Sequence, residues 1–348
     1  MVKQHQWIFR LSFAATLLAF AVVMLGAYTR LTDAGLGCPD WPGCYGHVLV
    51  PSSVAAISHA AYHYPHAPVE KKKAWTEMVH RYVAGCLSFL VFLLSFLLWR
   101  QRKTDAIAAS VPFLLSGLII FQALLGMWTV TLRLNPVVVM GHLLGGMAML
   151  AALAMVAIKF SGVFNNVSSV NLARYRFWTI GALIIVILQI ALGGWTSANY
   201  AGLVCPGFPY CKGIQMPPMD IAQALNMWGI SAAHHTVAGV ANAIRINIQI
   251  LHRIGAGVTA IYVGGLALWF MLAGPSRVFR VLGILILNVL FFQILLGIIN
   301  VVFLLPLWAA LLHNLVAALL LLSVVALNRA VFLNSQPDAA YVTDHAIA

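Results

Sequence analysis

Apolar residues in this chain fall in long unbroken runs, with none of the strict alternation that marks a half-buried strand. The runs lie near residues 11–30, 77–99, 110–132, 137–160, 176–197, 247–271, 278–302 and 306–328. Each approaches the about 20 apolar residues that a helix needs to cross a bilayer. The pattern predicts an all-α integral membrane protein with eight transmembrane helices. Two of the polar breaks are long, about 31–76 and 198–246, and residues 331–348 form a polar tail that reads as disordered.

The pattern is also duplicated. Gly26-Ala27-Tyr28-Thr29 followed by Gly35-Leu36-Gly37-Cys38-Pro39 returns as Gly193-Gly194-Trp195-Thr196 followed by Gly202-Leu203-Val204-Cys205-Pro206, an offset of 167. Glu77-Met78-Val79-His80-Arg81 returns as Gln249-Ile250-Leu251-His252-Arg253 at offset 172. Phe121-Gln122-Ala123-Leu124-Leu125-Gly126 returns as Phe292-Gln293-Ile294-Leu295-Leu296-Gly297, and His142-Leu143-Leu144 as His313-Asn314-Leu315, both at offset 171. Near-constant offsets over four blocks indicate two pseudo-symmetric four-helix bundles, residues 1–165 and 166–330, related as parallel repeats.

Composition agrees. Of 348 residues 62% are hydrophobic and only 8% charged, against about a quarter charged in soluble domains. The net charge of +12 would suggest nucleic acid in a soluble chain, but the basic residues sit at helix ends and no RNA-binding aromatic signature accompanies them. Lys3, Arg10, Arg100, Arg102, Lys103, Lys159, Arg174, Arg176, Arg277, Arg280 and Arg329 fall on one side if eight helices alternate. The positive-inside rule makes that side cytoplasmic, with both termini; Lys71, Lys72 and Lys73 lie opposite. The first run has no cleavage site and reads as a retained helix, and no transit segment precedes it. A bacterial cytoplasmic membrane is the expected location.

Of twelve histidines, the repeat singles out His80, His142, His252 and His313, two per half at similar depth. Two helices that each offer an imidazole at one level can clasp a flat cofactor, and haem iron takes axial histidines. Structural histidines, zinc and copper are the alternatives, but no neighbouring donor completes a tetrahedral shell. Arg81 and Arg253 follow the ligand candidates and are suited either to haem propionates or to lipid head groups; Arg30 is a weaker candidate of the same kind, with no basic residue at its repeat counterpart Ser197. Glu77, three residues before His80, shares its helix face and has Gln249 as counterpart. It is a candidate catalytic carboxylate, or else a helix-start acid favoured by the dipole.

Cys38 and Cys44, and likewise Cys205 and Cys211, enclose five residues each in the long outer loops. Structural disulfides are expected there, with redox exchange or zinc as the other possibilities. Cys86 lies within an apolar run, and His59, His63, His66, His234 and His235 in the loops; none of these is given a role.

The stretch from Gly26 to Thr32 leading into a cysteine loop, Glu77-x-x-His80-Arg81 and the repeated histidines resemble the haem A synthase family over nearly the whole chain. The resemblance implies eight helices in two four-helix bundles and an enzyme that oxidises the C8 methyl of haem O to a formyl group. It implies that His80 and His142 hold the substrate haem, His252 and His313 a haem b cofactor, and that Glu77 is the catalytic carboxylate. Haem O synthase would supply the substrate, haem-copper oxidases would take the product, and an electron partner is required that the sequence does not name. A di-haem b electron carrier is the alternative.

Overall fold

The structure, a computed structural model, describes residues 2–103, 108–165, 167, 171–209, 211–213, 217–226 and 238–334. His234, His235 and the tail from residue 335 lie outside the described residues. Within them the chain is helical: α1 Val2–Leu31, α2 Val54–His63, α3 Lys71–Gln101, α4 Ser110–Thr131, α5 Pro136–Ser161, α6 Arg176–Ala198, α7 Ile221–Ala224, α8 Ala238–Ala273, α9 Arg277–Val302 and α10 Leu307–Leu333. Eight of the described helices are long and apolar enough to span a membrane, in the order the apolar runs predict, and the chain is a multi-pass membrane protein.

Helices α1, α3, α4 and α5 form one group, in which α1 and α4 each pack on both α3 and α5. Helices α6, α8, α9 and α10 repeat these pairings, and the groups meet through α5–α6, α1–α10 and α5–α10. Exchanging α1 with α6, α3 with α8, α4 with α9 and α5 with α10 maps each of these contacts onto another of them, and the α5–α10 contact onto itself. Small and aliphatic residues such as Ala15, Leu94, Leu150, Ala318 and Val324 are fully buried between the helices. Phe89, Phe113, Ile261 and Phe291 point outward and are well exposed. Large outward apolar surface is costly in water and suited to lipid.

Three local features differ from the expectation. Helix α3 starts at Lys71 rather than near 77, and α8 at Ala238 rather than near 247. Hydropathy marks only the apolar part of a helix; in α3 the lysines that precede it are good helix formers, and a Lys73–Glu70 ion pair at 3.1 Å braces the first turn. The first outer loop holds α2, whose ten residues are too few to span; Ser53 caps it by accepting the Ala56 N–H at 3.2 Å. Cys86 is exposed on α3 rather than buried among its neighbours, and it lies in the lining of the cavity described below.

The turns into the fourth helix of each half are alike. Arg133 and Leu134 have φ of 48° and 58°, Leu304 and Leu305 have 57° and 59°. Left-handed backbone is unfavourable for leucine, and it is repaid in packing. Leu134 lies where a Cβ on Gly35 would meet it at 3.1 Å, and Leu305 approaches Gly202 in the same way at 2.8 Å. Each helix hairpin is thereby locked onto the start of its cysteine loop.

Candidate active site: a histidine-lined cavity

The two helix groups enclose one continuous cavity of about 1310 Å³, and His80, His142, His252 and His313 all line it. Ligand pockets are commonly about 300–1,000 Å³, so the space suits a very large ligand or more than one. The sequence placed these four histidines by repeat position alone; the structure brings all four to one cavity.

Each imidazole rests on a glycine of a neighbouring helix. A Cβ on Gly26 of α1 would come within 3.1 Å of His80 Cε1, and one on Gly126 of α4 within 3.4 Å of His142 Cε1. In the second half the corresponding pairs are Gly193 with His252 at 3.2 Å and Gly297 with His313 at 3.3 Å. These glycines occur in the repeated blocks, but their duty as ring seats is visible only in three dimensions. Gly26→Ala should force the His80 ring to shift, at a cost of about 1–3 kcal/mol for overpacking. We expect roughly tenfold or weaker haem retention by the first half, measured as haem per protein after purification; unchanged retention would show that the ring has slack.

The rings of His80 and His142 have centroids 6.4 Å apart and an interplanar angle of 86°. Two imidazoles on opposite sides of one iron, with metal–nitrogen bonds of about 2 Å, would have centroids about 6 Å apart. Nδ1 of His80, His142 and His313 is buried and has no side-chain partner among the described residues; the backbones of Val22, Gln122 and Gln293 are the acceptors beside the three rings. No group of three or more His, Cys, Asp or Glu side chains among the described residues is set to hold a metal ion. A bare ion would therefore lack donors, whereas a porphyrin brings four of its own and asks the protein for two. The residues fit haem.

Glutamines accompany the second pair. Gln189 Nε2 lies 3.1 Å from His252 Nδ1, and Gln293 Nε2 lies 3.2 Å from His313 Nε2.

Glu77 is the seventh residue of α3, two turns inside the helix, so a dipole preference for the first turn does not account for it. The residue is only 4% exposed. Its Oε2 accepts the backbone N–H of Cys38 at 2.9 Å, and its Oε1 accepts from Arg81 Nη2 at 2.6 Å. A buried carboxylate persists only when paired in this way. Its counterpart Gln249 makes the opposite bond, donating from Nε2 to the Gly202 carbonyl at 2.9 Å. One position therefore anchors the loop in both halves, with acceptor chemistry in the first and donor chemistry in the second.

Arg81 also donates to the carbonyls of Asp40, Pro42 and Gly43, and Arg253 to those of Pro209 at 3.1 Å and Cys205 at 2.6 Å. Both guanidiniums thus hold the cysteine loops over the cavity instead of snorkelling to lipid. The loops are closed by Cys38–Cys44 and Cys205–Cys211 disulfides, and each has a cis X-Pro bond, Trp41-Pro42 and Phe208-Pro209. Arg30 joins the halves: its Nη2 donates to the Ser197 carbonyl at 2.6 Å, and its guanidinium lies 4.0 Å from the Tyr200 ring centroid.

Beneath the first loop Tyr45 is buried and donates its hydroxyl to the Pro68 carbonyl at 3.0 Å. Burial first, then the charges of Glu70, Asp40 and Glu77, push its phenol above the usual 10.0, which keeps it a neutral donor. Asp40 accepts the N–H groups of Tyr45 and Gly46 at 2.6 and 2.8 Å. His59 and His63 are exposed on α2, away from the cavity lining.

A bundle of helices long and apolar enough to span a membrane, with two histidine pairs lining one cavity between them, is an architecture suited to a membrane haem protein. The chain belongs to the COX15-CtaA family of cytochrome oxidase assembly proteins, whose family model matches residues 9–325. It is 42% identical over 328 residues to the haem A synthase of Shewanella oneidensis, covering 93% of this chain and 96% of that one. The haem A synthase of Methylobacterium radiotolerans is 27% identical across 86% of this chain and 83% of its own. That of Neorickettsia sennetsu is 24% identical across 88% and 93%.

Proposed function

We propose that this chain is a haem A synthase, a membrane oxidoreductase that oxidises the C8 methyl of haem O to a formyl group in the assembly of terminal oxidases. The observation that carries the reading is the His80–His142 pair, opposed at 6.4 Å in a cavity that Glu77 also lines. His80 and His142 hold the substrate haem by its iron, and His252 and His313 hold a haem b. When bound, that haem supplies one-electron redox chemistry near the substrate site. Residues 1–165 form the catalytic half and 166–330 the cofactor half. Each of two successive two-electron oxidations at the methyl carbon installs one oxygen atom. That atom is taken from water, with two electrons and two protons released to the redox partner and solvent, or from dioxygen, with two electrons and two protons drawn in to reduce its second atom to water. The products are an alcohol and then a hydrate, which loses water to the aldehyde.

The chain's own part is to bind, orient and manage protons. The four imidazoles would hold the two haems in the cavity at the level of the histidines. Glu77 keeps lone-pair sites beyond those used by Cys38 and Arg81, since an ionised carboxylate offers about four. It can hold a water or take a proton beside the reacting methyl, and its negative charge favours developing positive charge there. Arg81 and Arg253 are placed to meet propionates as well as loop carbonyls. The loops shut the cavity mouth against bulk water. The termini lie on the cytoplasmic side of a bacterial inner membrane and the cysteine loops on the other. Haem O synthase delivers the substrate, haem-copper oxidases receive the product, and a redox partner exchanges electrons with the chain.

Visible and electron paramagnetic resonance spectra of the purified protein test the histidine clasp. Low-spin signals of six-coordinate haem with two imidazole ligands are expected. A five-coordinate high-spin haem in both halves would overturn the assignment.

A further inference from the structure

The two halves share their histidines but not the wall beside them. In the first half the cavity lining runs on past the imidazoles to Gly85, Ser88 and Phe89 of α3 and to Ala123 of α4. Gly85, Phe89 and Ala123 are also exposed on the outside of the bundle, and a Cβ on Gly85 would meet nothing within 4 Å. The cavity therefore opens sideways between α3 and α4. At offsets of 172 and 171 the matching residues of the second half are Gly257, Ala260 and Ile261 of α8 and Ile294 of α9. Of these four, Ile294 alone lines the cavity.

Helix packing explains the difference. Helices α8 and α9 come into backbone contact: a Cβ on Gly283 would lie 2.6 Å from both the Ala267 carbonyl oxygen and the Met271 nitrogen. A Cβ on Gly264 would meet Leu290 at 3.4 Å. Small residues are what let two apolar helices approach so closely. The first half has Pro112 and Phe92 at those two positions, and neither permits the approach. Helices α3 and α4 accordingly pack less extensively than α8 and α9 do. They meet through side chains, with the Trp99 and Phe113 rings 5.0 Å apart at the end of the seam far from the histidines. Between that contact and His80 the seam stays open, and Ala123 leaves room where Ile294 would fill it.

We propose that this side opening seats the hydrocarbon chain of the substrate and lets the first half select haem O over haem B, an inference that rests on the assignment of haem O to the first half. Haem O carries a hydroxyethylfarnesyl chain where haem B has a vinyl group. A closed four-helix core has no place for such a chain, whereas a gap that leads from the ligand cavity to the apolar exterior does. Gly85 lies five residues beyond His80, about 7.5 Å along the helix axis, so the opening falls within the apolar stretch of α3 that is fit to cross a membrane. There the chain meets lipid and stays out of water. The product keeps the same chain, so substrate and product both fit this route. The second half, with its helices in contact, suits a haem without the chain.

The test compares haem O with haem B at the first-half site, by spectroscopic titration of purified protein that carries its second-half haem. The first-half signal is the one missing from His80→Ala. Ala123→Ile, which copies the second half, should weaken haem O by roughly tenfold, the scale of an overpacked contact, and leave haem B unmoved. Gly85→Leu, placed where a Cβ meets nothing, should do the same. Unchanged haem O affinity in both variants, or equal weakening of haem O and haem B, would overturn the inference; a lipid acyl chain as the occupant would give the first of these results. Should neither variant fold, the unaltered protein decides: haem O bound no more tightly than haem B at this site would overturn the inference. Absence of any His80-dependent haem binding would overturn the assignment itself, and this inference with it.

Discussion

Glu77→Gln should lower haem A formation by at least roughly 100-fold, the scale of a lost general acid–base group, while both haems stay bound. The substitution is isosteric and leaves the imidazoles untouched. It removes the charge and replaces one acceptor oxygen with a donor. The new NH₂ must face either the Cys38 N–H or the Arg81 guanidinium, both of which donate to the present carboxylate, so one contact becomes donor against donor. Loss of a charge-assisted hydrogen bond costs about 1.5–3 kcal/mol, which loosens the first loop without unfolding eight helices. Haem A per bound haem, from extracts of the purified variant, separates the two effects. Wild-type yield from a haem-loaded Glu77→Gln protein would reduce Glu77 to a loop anchor like Gln249.

The second large effect separates the halves. His252→Ala should remove the haem proposed for the second half and leave the one proposed for the first half in place, whereas His80→Ala should do the reverse. The physical ground is that the pairs are held by different helices, α3 with α5 and α8 with α10, and each ring has its own glycine seat. Haem content and type per chain, measured after purification, give the result. Equal loss of both haems from either variant would mean that the cavity holds them as one interdependent unit, and the division into catalytic and cofactor halves would fall.

Much of this architecture is legible in the sequence because a bilayer imposes a simple rule: apolar runs of spanning length become helices. The ends are less legible. Residues 71–76 continue α3 beyond its apolar run, where hydropathy falls silent and helix propensity decides. The four histidines could be found from the repeat, since identity at matched positions is what a repeat displays. The partners of Glu77 could not, because the Cys38 amide lies 39 residues away and backbone groups leave no mark in a sequence. Gly26, Gly126, Gly193 and Gly297 stood inside the repeated blocks, yet nothing there says that a ring lies on them. Gly264 and Gly283 are harder still. They differ from Phe92 and Pro112, and comparison by likeness passes over the positions where the halves part. Their meaning comes from one steric fact, that two helices meet where a side chain would need room.

The arginines teach a similar lesson. Chemistry alone matches a guanidinium beside a haem ligand equally well to propionate or lipid phosphate. The fold adds the loop carbonyls, which Arg81 and Arg253 reach in both halves. Anchoring the lid and meeting a propionate are compatible, since a guanidinium has five donors.

The most direct test of the central claim is chromatography of haems extracted from cells that make this chain together with haem O synthase and have no haem A of their own. A haem A peak that depends on the chain is the predicted result. Haem O and haem B alone, from protein shown to be folded and haem-loaded, would contradict it and leave a di-haem b electron carrier as the function of the fold.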